Sequence, residues 1–215
     1  AQVFLYRSPA QFYRWMALEV FAEASLPSCA NYDISTLIYS WKVYLDDTYV
    51  PSLQSISLDK RTFKLPPYSL QADSEYTVQC VVTIPSAGIT NIVSSSASST
   101  LTVGRSGIIA RIAGGYAQTL TLNFPASLDA SGSYDLDYGS GTSASTTGGY
   151  LTYAWSCSTY SPTFGSTCAG FPSSSVSSSQ LALAADSLAE GVYTVNCTVY
   201  NSAGKKATTS VRLTV

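Results

Sequence analysis

The chain has 215 residues, of which only 11% are charged, with 11 basic and 13 acidic side chains and a formal net charge of -2. It contains no His, which excludes Ser-His-Asp and Cys-His catalysis and His-ligated zinc. The few basic residues provide no electrostatic surface for nucleic acid, and no apolar run is long enough to cross a bilayer. Apolar residues still make up 46% of the chain, which is enough to build a folded core.

The two ends of the chain resemble cut points. The chain begins at Ala1, soon enters the apolar run Val3–Tyr6, and stops at Val215 within a strand-like pattern. It begins with neither an initiator Met nor a signal peptide. We therefore expect it to be a segment of a longer protein whose targeting signals lie elsewhere.

The two halves of the chain repeat the same segments in the same order, and the offset between them drifts as loop insertions between fixed strands would produce. This order predicts two domains of similar fold, residues 1–104 and 105–215, with a short linker beginning near Gly104. The matched segments are 18–26 with 120–128, Tyr32-Asp33 with Tyr134-Asp135, 37–41 with 151–155, 63–70 with 181–188, 76–80 with 193–197, and the closing Leu-Thr-Val at 101–103 with that at 213–215.

The repeated segments have the patterns of strands. In the Tyr-x-Trp segment of the first copy, Tyr39, Trp41 and Val43 alternate with other residues, which places them on one face of a strand. The late segments around Cys80 and Cys197 are rich in β-branched and aromatic residues. About seven short strands per copy, with a Trp in a central strand, predict an all-β chain of two tandem immunoglobulin-like β-sandwich domains.

The second copy carries motifs that resemble a known family. It contains Leu128-Asp-Ala-Ser-Gly-Ser-Tyr-Asp135, then Tyr153-Ala-Trp155-Ser-Cys157, and a further cysteine at 168. Over residues 108–215 this is similar to the polycystin-type (PKD) domain and, more closely, to receptor-for-egg-jelly (REJ) modules; the first copy resembles them more weakly. The resemblance implies tandem modules of large cell-surface or secreted proteins, including ciliary polycystins and gamete-recognition receptors, which serve as adhesive or spacer units.

The five cysteines form no C-x-x-C motif, which excludes zinc-ribbon and thioredoxin sites. In the first copy Cys29 is the only partner available to Cys80, so we expect a bridge between them. In the second copy the family resemblance implies a bridge between Cys157 and Cys168, which leaves Cys197 buried and unpaired. The alternative joins Cys157 to Cys197, on two strands that should be neighbours.

A sequon, Asn196-Cys197-Thr198, makes Asn196 a candidate for N-glycosylation. Since the adjacent Cys197 should point inward, the side chain of Asn196 should face solvent. The sequon, the cysteines and the richness in Ser and Thr together favour an oxidising, extracellular setting at a cell or ciliary surface.

Two further features each allow two interpretations. The aromatic residues Phe12, Tyr13 and Trp15 have no counterpart in the second copy, and they either cap the first sandwich or form an exposed contact patch. Asp135 and Asp137 have the spacing of calcium ligands but lack the remaining ligands of an EF-hand, and such residues also stabilise loops. We expect neither a metal nor a cofactor.

Together these features favour a non-catalytic extracellular structural or adhesion segment of a larger cell-surface or ciliary-surface protein. Its partners would be neighbouring modules of the same chain and other extracellular proteins or glycans, without nucleic acid and without membrane insertion by this segment. Low charge and abundant Ser, Thr and Tyr also suit a homo-polymeric surface filament. The alternative is an accessory module that positions a secreted hydrolase on carbohydrate, and the flanking sequence of the parent protein would distinguish the two.

Overall fold

A computed structural model describes residues 2–7, 11–26, 33–85, 93–139, 150–172 and 177–215. The chain divides into two units, Ala1–Arg105 and Ser106–Val215, and each is described by itself. In the described ranges the regular elements are strands, apart from a single 3₁₀ turn at Ile34–Thr36. The predicted all-β class is therefore confirmed. None of these residues belongs to a helix that is long and apolar enough to span a membrane.

The described part of unit 1 contains eight strands in two sheets. One sheet has the order β1-β3-β6 and the other the order β2-β8-β7-β4-β5. Neighbouring strands run antiparallel except for β2, which runs parallel to the end of β8 with Phe12 opposite Val103. The strands are β1 (Gln2–Arg7), β2 (Phe12–Tyr13), β3 (Leu18–Ser25), β4 (Ile38–Leu45), β5 (Thr48–Tyr49), β6 (Thr62–Leu65), β7 (Ser74–Ile84) and β8 (Val93–Gly104).

Alternation of side chains along the strands builds the core of unit 1. Every second residue of β7 from Tyr76 to Ile84 is buried, because successive side chains of a strand point to opposite faces. In the other sheet, Val20 of β3 and Phe63 of β6 are buried in the same cluster as Val78 of β7. The inward faces of the two sheets thus share one core, which is the arrangement of a β-sandwich.

Unit 2 also has eight strands in its described residues. They form a four-stranded sheet, β10-β16-β15-β13, and two pairs, β11-β14 and β9-β12. Leu128 and Leu181 of the first pair are buried in one core with Trp155, Val195 and Leu213 of the four-stranded sheet. The strands are β9 (Ile108–Ile109), β10 (Ala117–Thr119), β11 (Ala126–Asp129), β12 (Tyr134–Asp135), β13 (Leu151–Ser161), β14 (Gln180–Leu183), β15 (Val192–Asn201) and β16 (Lys206–Thr214).

The two units share one strand order. The order β10-β16-β15-β13 in unit 2 matches β2-β8-β7-β4 in unit 1, and the pair β11-β14 matches β3-β6. In both units a short strand runs parallel to the end of the last strand. This arrangement, with the Trp strand and the last two strands in one sheet, is that of an immunoglobulin-like sandwich. The chain therefore contains two tandem immunoglobulin-like β-sandwiches, as the repeated segments predict.

Candidate functional site

A Trp at the centre of each unit links its two sheets. Trp155 of β13 is 2% exposed, and its indole N–H donates a hydrogen bond of 3.0 Å to the carbonyl of Ser178, just before β14. In unit 1 the indole N–H of Trp41 donates a 2.9 Å bond to the carbonyl of Lys60, just before β6. Trp155 fills the core of unit 2, and Trp41 is half-buried against the core of unit 1. Each satisfies its indole N–H within the fold, so neither is placed as a ligand platform.

The two sandwiches also place a cysteine opposite each Trp. Cys80 pairs with Trp41 across β7 and β4, and Cys197 pairs with Trp155 across β15 and β13. Both cysteines are buried free thiols. Burial raises the pKa of Cys80 to about 12 and that of Cys197 to about 11, which keeps both thiols protonated and unreactive at physiological pH.

The free thiol of Cys80 differs from the bridge to Cys29 that the sequence predicted. Cys29 lies outside the described residues. Cys80 points into the core, in one cluster with Ala22, Leu37 and Val82. The inward orientation of Cys80 agrees with the strand parity read from the sequence.

A disulfide joins Cys157 to Cys168, with a Cα–Cα distance of 5.7 Å. The alternative bridge from Cys157 to Cys197 is absent, because the residue opposite Cys197 in the register is Trp155. The disulfide closes a hairpin that extends from β13. Inside it, the N–H of Thr159 donates to the carbonyl of Ser166, and the N–H of Gly165 donates to the carbonyl of Thr159, both at 2.8 Å.

Asp135 and Asp137, the candidate calcium ligands, are buried and hydrogen-bonded. One oxygen of Asp135 accepts from the N–H of Asp137 at 2.9 Å, and the other accepts from the side-chain amide of Asn201 at 2.7 Å. Both oxygens of Asp137 accept from the N–H of Ser106, at 3.2 and 2.9 Å. The two carboxylates therefore fasten this loop to the end of β15 and to the start of the unit.

The described residues include no group of three or more His, Cys, Asp or Glu side chains that could hold a metal ion. The geometry around Asp135 and Asp137 thus corresponds to the loop-stabilising interpretation, in which each carboxylate accepts hydrogen bonds from nearby N–H groups.

The rest of the Leu-Asp-x-Ser-x-Ser-Tyr-Asp motif also fixes local structure. The hydroxyl of Ser133 accepts from the N–H of Arg111 at 3.0 Å and donates to the carbonyl of the same residue at 3.2 Å. The guanidinium of Arg111 lies 5.6 Å from the centroid of the Tyr134 ring. Hydrogen bonds from the backbone and side chain of Ser131 hold the pKa of Asp129 below its usual range. The motif therefore organises a loop and exposes no reactive group.

The candidate contact patch in unit 1 separates into core and surface. Phe12 is 1% exposed and belongs to the core, because β2 packs it against the end of β8. It is therefore not part of a contact surface. Tyr13 is half-buried and packs against Gly104, where a Cβ atom would lie 3.3 Å from the tyrosine ring. Trp15 is 41% exposed and stacks on Tyr13, with ring centroids 6.2 Å apart.

Asn196, the candidate glycosylation site, lies on the outer face of the four-stranded sheet. It sits in the middle of β15, between Ser156 of β13 and Ser210 of β16. Its side chain is half-buried, while both flanking residues of β15, Val195 and Cys197, are buried in the core.

Unit 2 carries a second exposed aromatic cluster, which the sequence did not predict. The guanidinium of Arg212 lies 4.2 Å from the centroid of the Tyr160 ring, and that ring meets Phe164 edge-on at 5.9 Å. Tyr160 and Phe164 lie between Cys157 and Cys168, the two cysteines that the family resemblance pairs. The cluster also depends on Arg212, more than forty residues further along the chain, and no local pattern connects them.

The solved structures that resemble this chain do so weakly. Three N-terminal domains of the bacteriophage RB49 Highly Immunogenic Outer Capsid protein (Hoc) match 99% of the chain over 57% of their own length, with 12% identity and a TM-score of 0.38. Human CDH23 EC21-23 matches 83% of the chain over 62% of its length, with 16% identity and a TM-score of 0.37. The chain thus spans less than two thirds of either structure. No curated protein sequence matches the chain significantly.

The family model described as "REJ domain" matches residues 22–215. This match begins within β3 of unit 1 and ends with the last residue of unit 2, so it includes both sandwiches. It therefore extends the resemblance seen in the motifs of the second copy to most of the first. The chain belongs to the REJ domain family.

Proposed function

We propose that this chain is a non-catalytic adhesion segment of a larger extracellular protein at a cell surface. Its membership in the REJ domain family carries the proposal, because the match runs through both sandwiches. REJ domains are extracellular modules of the adhesion type. The disulfide between Cys157 and Cys168 and the sequon at Asn196 support an extracellular setting.

The proposal includes no catalytic step. The chain has no His, and the carboxylates of Asp135 and Asp137, which the fold brings together, are occupied by hydrogen bonds from backbone and amide N–H groups. General acid or base catalysis needs a titratable group that is free to exchange a proton with a substrate.

Such a segment acts through its surfaces. In each unit a Trp, buried in unit 2 and half-buried in unit 1, ties the two sheets together through its hydrogen bond, so the exposed side chains are held on a rigid support. Trp15 in unit 1 and Phe164 in unit 2 are exposed aromatic side chains of the kind that is enriched in protein interfaces. They support contacts with neighbouring modules and with other extracellular proteins or glycans.

The finer location that we propose is the ciliary surface, with the segment packed in a homo-polymeric surface filament. The composition supports this: few charges oppose close packing of copies, and Ser, Thr and Tyr provide hydroxyl groups for contacts and sugars.

Antibodies raised against the folded 215-residue chain test the location. We expect them to label intact, non-permeabilised cells that express the parent protein, with the label concentrated on cilia. An antibody against a cytosolic protein is the control, and it should label only permeabilised cells. If the antibodies against the chain also labelled cells only after permeabilisation, an extracellular role would be contradicted.

A further inference from the structure

An arginine and two aromatic side chains form a continuous exposed surface on unit 2, which we name the arginine–aromatic surface: Arg212, Tyr160 and Phe164. Arg212 lies on β16 and Tyr160 at the irregular end of β13, with Thr194 of β15 between their strands. The guanidinium of Arg212 crosses the small Thr194 to lie 4.2 Å from the Tyr160 ring centroid. Phe164 extends the surface, with its ring 5.9 Å from that of Tyr160.

The support of this surface is rigid. Phe164 is 82% exposed, yet it belongs to the hairpin that the disulfide between Cys157 and Cys168 closes. Two backbone hydrogen bonds of 2.8 Å, from Thr159 to Ser166 and from Gly165 to Thr159, close the hairpin around Phe164. A partner that binds Phe164 therefore needs to order little additional chain, which favours binding. Arg, Tyr and Phe are also residue types that are enriched at the centres of interfaces.

The charge of Arg212 is not balanced within the described part of the chain. Its guanidinium has no carboxylate there within salt-bridge distance, whereas Arg61 is paired with Asp59 at 2.9 Å. The residue beside Arg212 in the register is Thr194, which offers a hydroxyl group and no charge. Stacking on a ring occupies the face of a guanidinium and leaves its N–H edge available, and that edge matches the two oxygens of a carboxylate.

We propose that the arginine–aromatic surface binds an acidic segment of another extracellular protein. A carboxylate of that segment accepts hydrogen bonds from Arg212, and an apolar side chain next to it packs on Phe164 and Tyr160. Phe164 favours a protein partner over a sugar, because its exposed ring offers apolar contact without a hydroxyl group for a polar ligand. This inference rests on the proposed function and names the class of partner.

The test uses the full 215-residue chain and a library of short synthetic peptides in which every member carries Asp or Glu beside a large apolar residue. We expect members of the library to bind and their affinity to fall as salt is added. Arg212→Gln should weaken the binding by about tenfold or more, and Arg212→Lys should restore part of it, because Lys keeps the charge but loses the planar fork.

Matched controls separate this surface from general effects. Arg61→Gln removes another exposed arginine, which lies 5.6 Å from the Phe21 ring but is paired with Asp59, and it should leave peptide affinity unchanged. Phe164→Ser should weaken peptide binding although the charge of Arg212 is retained. Unchanged melting temperatures for these variants would show that the fold is intact.

Four outcomes would overturn the inference: no binding by any library member, equal binding by the Arg212→Gln variant, binding of sulfated or sialylated glycans but not of peptides, and self-association of the chain that Arg212→Gln abolishes. The last would identify a second copy as the occupant. None of them affects the labelling of intact cells, so a failure here is distinguishable from a failure of the proposed function.

Discussion

The indole N–H of Trp155 donates a 3.0 Å hydrogen bond to the carbonyl of Ser178, and this bond crosses from one sheet of unit 2 to the segment that enters the other. Trp41 and Lys60 make the equivalent bond in unit 1. The similarity arises because β4 and β13 hold matching places in the two sandwiches, and the Trp of each strand reaches across to the segment just before the matching strand of the facing sheet, β6 or β14. The side chain thus contributes both apolar burial and a fixed distance between the sheets.

Replacement of Trp155 by Phe tests this double role. Phe keeps part of the apolar contact but loses the hydrogen bond to Ser178 and leaves unfilled space, so we expect the free energy of unfolding of unit 2 to fall by about 1–3 kcal/mol. Trp155→Ala should lower it by about 3–5 kcal/mol. Urea unfolding followed by far-ultraviolet circular dichroism measures both changes.

Trp15→Phe is the matched control, because Trp15 is exposed and stacks on Tyr13 at the surface. It should change the free energy of unfolding by less than about 0.5 kcal/mol. If Trp155→Phe were equally silent, the bond to Ser178 would not hold the sheets together.

Much of this fold was predictable from the sequence because its determinants are local. Alternation along the segments around Trp41 and Trp155 identified core strands, and the repeated order identified two sandwiches. For Phe12 the sequence left a cap on the sandwich and a contact patch both open, because β2 has only two residues, which is too short for alternation to show which face is buried. The short parallel pairing with β8 decides its burial, and that pairing is a long-range contact.

The partners of individual side chains were less predictable for the same reason. The role of Asp135 depends on Asn201, which lies in a distant strand, and the role of Tyr160 depends on Arg212. The register of β13, β15 and β16 brings Tyr160 and Arg212 together, and the packing of β12 near the end of β15 brings Asp135 to Asn201. A sequence pattern specifies which face a side chain occupies but not its neighbours across the sheet.

Asp135→Asn should destabilise unit 2 by about 1–3 kcal/mol, because it places an amide donor against the amide of Asn201. Asn201 cannot turn its own oxygen toward residue 135 without losing the hydrogen bonds that this oxygen accepts from the N–H groups of Ala203 and Lys205. The shift of the denaturant midpoint, at an unchanged slope, measures the effect.

Asp129→Asn is the control for that substitution. Asp129 is half-buried, and its carboxylate accepts turn hydrogen bonds from Ser131 that the oxygen of an Asn side chain also accepts, so stability should change by less than about 0.5 kcal/mol. Millimolar calcium should leave the melting temperature of the unsubstituted chain unchanged. A rise that Asp135→Asn abolishes would instead identify Asp135 as a calcium ligand.

The two buried thiols should resist modification in the folded chain. Burial raises the pKa of Cys80 to about 12 and that of Cys197 to about 11, from the 9.0 that is ordinary for a thiol. Because the thiolate is the reactive form, a disulfide reagent near neutral pH should label neither residue until denaturant is added. Peptide mapping by mass spectrometry identifies the labelled positions. Rapid labelling of Cys80 or Cys197 in the native chain would contradict the burial.

The same shifts predict how stability depends on pH. Above pH 9.0 the unfolded chain releases thiol protons that the folded chain retains, so the stabilisation present below this pH is lost as the pH rises to about 11 for Cys197 and to about 12 for Cys80. The chain with both Cys80→Ala and Cys197→Ala should show a flatter loss of stability over this window than the unsubstituted chain. Equal slopes would mean that these thiols do not contribute to it.

Asn196 should carry an N-linked glycan when the chain is secreted from a eukaryotic host. It lies on the outer face of β15 between Ser156 and Ser210, so a glycan there would extend from the sheet without displacing a core side chain. Intact mass before and after enzymatic removal of N-glycans measures the modification, and Asn196→Gln should abolish it while leaving the melting temperature of the deglycosylated chain unchanged. Thr198→Ala is an independent control, because it removes the sequon and retains Asn196. An unmodified mass for the secreted chain would show that Asn196 is not used.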